Sequence, residues 1–144
     1  MSRDEIEKLV ADGTLRRTTS DAEASARELA MAKQHIETAR LIARSDPAAG
    51  LTLAYEAARK AIRAHMRLNG LRVGSGEGGH VKIGTYGVAA FGGSDAVECF
   101  RMFDRVRQVR NRVQYDAFSV EDGDVAFALE QAEDVVAAVE TDLP

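Results

Sequence analysis

The chain has 144 residues, enough for one domain that buries its own core without disulfides or a structural metal. Its formal charge of -4 excludes a generic nucleic-acid coat, which would be basic overall, and its single cysteine, Cys99, excludes a disulfide framework and a multi-cysteine zinc site. No apolar run approaches membrane-spanning length and no basic, hydrophobic leader opens the chain, so a soluble cytoplasmic protein is expected.

Ser2-Arg3-Asp4-Glu5 and Ser20-Asp21-Ala22-Glu23 both have the S-x-x-E form of a capping box, which predicts a helix start at each. The first helix is short and stops near Gly13. The second runs to about Arg44 with Leu29, Ile36, Ala39 and Ala43 on one face, until Ser45-Asp46-Pro47 ends it and opens the next. That third helix turns Leu51, Ala54, Ala58, Ile62 and His65 inward and Arg59, Arg63 and Arg67 outward, with Glu56 and Lys60 placed to pair at i, i+4.

It closes at Asn69-Gly70, where composition changes. Nine of the twelve glycines lie between Gly70 and Gly93, which reads as a long loop interrupted by a short helix around Val81 to Phe91. Within it, Gly74-Ser75-Gly76-Glu77-Gly78-Gly79 has the G-x-G-x-x-G form of a dinucleotide site. With a helix ahead of it rather than a strand, and His80 where a P-loop needs Lys, it reads as a connector. The three histidines have no metal-ligand spacing, so neither metal nor cofactor is expected. His65 reads as a core residue and His35 as a solvated one, leaving His80 as the candidate site histidine.

Ser94 is placed to cap a fourth main helix, whose end carries the chain's clearest functional signal. At about 100° per residue, Phe100 and Phe103 share a face with Arg107, Arg110, Asn111 and Gln114, while Met102, Val106, Val109 and Val113 stay apolar beside them. A helix anchored by one stripe thus turns its other flank from core to hydrogen-bonding groups. Burying an unpaired guanidinium is costly, so Arg110 requires a carboxylate, a second chain or an anionic ligand. A last helix aligns Val125, Leu129, Ala132, Val136 and Val139, leaving Phe127 off the stripe. No period-2 alternation appears. The fold expected is therefore all-α: an antiparallel four-helix bundle with a short N-terminal helix and a long Gly-rich loop between the third and next main helix.

Charge is segregated along these elements. Arg59 to Arg72 holds five cationic residues and no acid, Arg101 to Arg112 five arginines against Asp104, and Ser119 to Pro144 eight acids and no base. This pattern suits either a locally positive groove or acidic and basic helices lying side by side.

The Ala-rich run Leu53-Ala54-Tyr55-Glu56-Ala57-Ala58-Arg59-Lys60-Ala61, a loop of glycine and histidine, and then Val109-Arg110-Asn111-Arg112-Val113-Gln114-Tyr115 together resemble the HEPN (higher eukaryotes and prokaryotes nucleotide-binding) family. The resemblance covers a single domain, 1–144, with its core at about 20–143. It implies a small helical bundle associated with nucleotide and RNA chemistry in prokaryotic conflict systems such as toxin–antitoxin pairs. Active members resemble one another in an arginine, a polar residue and then a histidine four to six positions on, two copies of which meet across a dimer and cut RNA without metal.

Here Arg110 and Asn111 fit that pattern, but Tyr115 stands where the histidine would be. A phenol with a pKa near 10 is a poor base at neutrality, whereas an imidazole near 6.5 is well poised, so catalysis would need His80. Three readings follow, in this order. The first is a catalytically weakened homodimeric domain that binds RNA, a nucleotide or another anion through Arg107, Arg110, Asn111 and Gln114. The second is an interaction module, antitoxin-like or a scaffold, in which Arg110 pairs with an acid of the last helix and the partner protein is encoded nearby. The third is a metal-independent ribonuclease using Arg110, His80 and Tyr115.

Overall fold

The computed structural model describes residues 2–115 and 119–144, and the side chain of Tyr115 lies outside the described set. Along the chain run α1 (Arg3–Ala11), β1 (Leu15–Arg17), α2 (Ala22–Ile42), α3 (Pro47–Leu68), β2 (Leu71–Val73), α4 (Gly79–Phe91), α5 (Val97–Tyr115) and α6 (Asp122–Asp142). The fold is all-α apart from the two short strands.

Side-chain caps start α2 and α3, with a correction at α2, whereas α5 begins only at Val97, three residues past the expected cap Ser94, whose hydroxyl accepts from the Ala96 amide in the preceding turn. Asp21, not Ser20, caps α2: its carboxylate accepts from the Ala24 amide at 2.9 Å, while the Ser20 hydroxyl donates to the Leu68 carbonyl. An extended Asp satisfies the free amides of the first turn as well as Ser does, so either could serve. Asp46 caps α3 in the same way, with Pro47 in the first turn. Ser2 stands at the start of α1 without a side-chain bond.

Central to the bundle is α3, packed chiefly on α2 and α6. Its Ala54, Ala57, Ala61 and Ala64 are fully buried, and so small a surface lets Ala32 and Ala39 of α2 and Ala128, Val135 and Val139 of α6 come close. Leu51 and Ile62 lie between these alanines, each contributing about 1.5–3 kcal/mol by leaving water. Two acids of α6 pair across to α2, Glu133 with Arg40 and Glu140 with Lys33. At the core edge, burial pushes the Cys99 thiol up to about 11, which makes it inert.

The expected long loop shrinks to residues 74–78, because much of the glycine-rich stretch is the packed helix α4. Gly84 and Gly87 are there for close approach. A Cβ on Gly87 would lie 2.6 Å from Phe100 Cδ1, and one on Gly84 would lie 3.0 Å from Phe103 Cδ2. The rings of α5 therefore rest on the backbone of α4. Glycines that read as helix breakers are the seats of two phenylalanines.

The second departure is the antiparallel pair of β1 and β2, in register Leu15↔Val73, Arg16↔Arg72, Arg17↔Leu71. Three-residue strands are too short for alternation to show, and the signal lies in their ends. A Cβ on Gly74 would lie 2.0 Å from the Gly13 carbonyl, and Gly70, at φ +65°, would press one to 2.7 Å from the Thr18 carbonyl. The G-x-G-x-x-G run thus follows a short strand after all, though one paired antiparallel rather than in a βαβ unit.

Candidate anion-binding site

Three helices bring one side chain each to a common point. Tyr55 comes from the middle of α3 and is fully buried, with its ring stacked on Phe103 of α5 at 5.1 Å. His80 comes from the first turn of α4, held there by the seating of Gly84 and Gly87 on α5. Arg110 comes from α5, two turns beyond Phe103, at the end of the switch from apolar to polar.

The Tyr55 hydroxyl and an Arg110 Nη2 both approach His80 Nδ1, at 2.7 and 3.2 Å. The guanidinium also lies over the Tyr55 ring, its carbon 4.6 Å from the centroid, and its Nη1 donates to Gln114 Oε1 at 2.7 Å. Arg110 has no carboxylate partner among the described residues, and its buried Nε has no hydrogen-bond partner there. The partner that burial demands is a neutral histidine, a neutral amide and an aromatic face. An acid of α6 is not among the partners described.

This geometry dictates a tautomer. A guanidinium only donates, so Nδ1 must accept, and a neutral imidazole then carries its proton on Nε2. Burial, then the charges of Arg59 and Arg110, hold His80 below the ordinary histidine range and keep it neutral. Burial likewise raises Tyr55 above the usual phenol range, so its hydroxyl keeps the proton it gives to Nδ1. Nε2–H, with no bond to the protein among the described residues, is the free end of the array.

His80 also lines a cavity of about 750 Å³ between α3, the start of α4 and the β1–β2 ribbon. Arg59, Arg63, Arg67 and Arg72 line it as well; Arg110 does not, standing behind His80. Arg59 is neutralised by Glu56, which takes the place expected of a Glu56–Lys60 pair, at 2.7 Å. Arg63, Arg67 and Lys60 instead share the single carboxylate of Glu28, at 3.4 to 3.9 Å, and Arg67 Nε is buried without a hydrogen bond. Even with Asp21 on the wall, the cavity carries an excess of positive charge.

Of the residues that sequence singles out, the structure unites His80, Arg110 and Gln114. Arg107 is engaged by Asp104 at 2.7 Å, though its charge still reaches His80. Asn111 lies elsewhere, in a shallow hollow with Met102, Arg105 and Phe127. Tyr115 cannot be placed, its side chain being outside the described residues. Tyr55 escaped sequence reasoning as a site residue, although a tyrosine in an alanine-rich buried stripe must find a partner for its hydroxyl. His65 is the bonded core histidine expected: Nε2–H donates to Asp142 and Nδ1 accepts from the Tyr86 hydroxyl, both at 2.6 Å.

The model of the HEPN domain matches residues 20–142, and the chain belongs to that family. No curated protein and no solved structure was found to match it. Membership makes it a helical domain of the nucleotide- and RNA-associated kind, and among the described residues no helix is long and apolar enough to cross a membrane. In this member the histidine that meets Arg110 comes from α4, thirty positions upstream, and not from the same helix.

Proposed function

We propose that this HEPN domain binds RNA phosphate in the cavity walled by His80 and the α3 arginines, and that it is weakened or inactive as a ribonuclease. The observation that carries this reading is the pair of donors, Tyr55 and Arg110, at His80 Nδ1. They leave Nε2–H as a hydrogen-bond donor, suited to a phosphate oxygen. To take a proton from a ribose 2′-hydroxyl, Nε2 would have to lose its own proton or pass it to Nδ1, where a guanidinium already points. Arg110 thus serves binding by fixing His80, and the same contact opposes base catalysis.

Homodimerisation through α5 is part of this reading. Met102, Val109 and Phe127 are only half buried around the hollow that contains Asn111, apolar side chains set among charged ones, which a second copy would cover. Light scattering should give a dimeric mass at micromolar concentration, and a monomer there would remove this part. For the site, fluorescence anisotropy with a labelled single-stranded RNA should show His80→Phe and Arg110→Ala each weakening binding, with little cleavage of the RNA by the unaltered protein. Two stable variants with unchanged affinity would refute the site, and rapid metal-independent cleavage abolished by His80→Phe would instead make His80 a catalytic base.

A further inference from the structure

In the antiparallel ribbon Arg16 stands directly opposite Arg72. The neighbouring Leu15 and Leu71 are buried, so the two arginines share the outward face, where both are exposed. Like charges directly opposite destabilise a strand pair. Neither has an acidic partner among the described residues, in a chain with 23 acids, whereas Arg17 on the inward face is paired with Glu7. Arg72 also lines the His80 cavity, as do Thr18 and Thr19, which follow β1 directly. Arginines therefore extend from the His80 cavity, past Arg63 and Arg67 and through Arg72, onto the ribbon, with Asp21 as the acid on the cavity wall. Residues 15–17 precede the stretch that matches the family model, so Arg16 lies outside it.

We infer that the β1–β2 ribbon is a second phosphate subsite, with Arg16 and Arg72 gripping the backbone of a single-stranded RNA whose neighbouring phosphate lies in the His80 cavity. This rests on the reading of that cavity as an RNA-phosphate site. A cavity of about 750 Å³ is of the size that holds one small ligand, so it admits a single nucleotide of an extended strand and not a duplex. The ribbon then serves the next phosphates along.

Binding of uridine 5′-monophosphate and of hexauridylate, each measured by calorimetry on the whole protein, tests this. Each phosphate contact on a single strand contributes a slope of ~0.7 in log affinity against log salt, equivalent to about fivefold at about 0.1 M salt. Arg16→Gln should therefore weaken hexauridylate about fivefold and leave the mononucleotide unchanged. Adding Arg72→Gln should bring the loss on hexauridylate to about 25-fold and lower the salt slope by about 1.4. Neither variant should melt below the unaltered protein, because each removes a repulsion. Unchanged hexauridylate binding in both variants, with His80→Phe still weakening it, would overturn the ribbon subsite and leave the cavity reading intact. Failure of the unaltered protein to bind either ligand would overturn both. Equal displacement of hexauridylate by polyglutamate would overturn the assignment to RNA in favour of an acidic protein partner.

Discussion

Replacing Gly87 with alanine sets two well-known effects against each other. Inside an exposed helix the change would stabilise by about 1 kcal/mol, because glycine loses more backbone entropy on ordering. Here the new methyl would lie 2.6 Å from Phe100 Cδ1, about an ångström inside a normal carbon–carbon contact. Phe100 cannot yield. It is 1% exposed and stacked on Phe91 with ring centroids 4.2 Å apart, so relief must come from moving α4 away from α5. Overpacking of this kind costs roughly 1–3 kcal/mol, which leaves a net loss of up to about 2 kcal/mol. For a domain of this size that lowers the melting temperature by up to about 8 °C. Gly123→Ala, at a helical glycine with open space around it, should show the entropy gain alone. Shifting α4 also draws His80 from Tyr55 and Arg110, so RNA affinity should fall with stability. Urea unfolding and calorimetry read both. A Gly87→Ala protein at least as stable as the Gly123→Ala one would refute the claim that α4 is glycine-rich in order to seat the rings of α5.

His65 and His80 are both held below the ordinary histidine range, chiefly by burial, so the unfolded chain binds more protons in the window below about pH 6.5. Stability should be flat above that pH and fall as pH is lowered through it. His65→Gln should flatten most of that fall, since His65 is the more deeply buried, and an unchanged acid slope in equilibrium unfolding would contradict this. Asp21→Ala removes the cap of α2 and should cost about 1 kcal/mol, while Ser20→Ala should leave that helix start intact; equal losses would return the cap to Ser20. Tyr115→His puts an imidazole five positions after Arg110, in the family pattern, and should raise RNA cleavage on a gel; no gain would mean that more than a base is missing.

Local periodicity and capping chemistry were enough for the helical class, for the breaks at Asp46-Pro47 and Asn69-Gly70, and for the inward stripes of α3 and α6. These features depend on neighbours within a few residues, which is what a sequence displays. The same holds for Arg110: a charged residue in line with Phe100 and Phe103 announces a burial problem through helical spacing alone. How that problem is solved depended on which faces pack together. Gly84 and Gly87 look like breakers until Phe103 and Phe100 are found resting on them, and only that docking carries His80 thirty residues along the chain to Arg110. The two ribbon strands are too short to have a period, and no local spacing announces Arg40 and Lys33 of α2 as the partners of Glu133 and Glu140. Tyr55, His80 and Arg110 come from three helices and meet because of tertiary packing alone. Tyr55 and His80 give little sign of this in their own stretches of sequence, and the hydrogen bonds that join them to Arg110 exist only between helices.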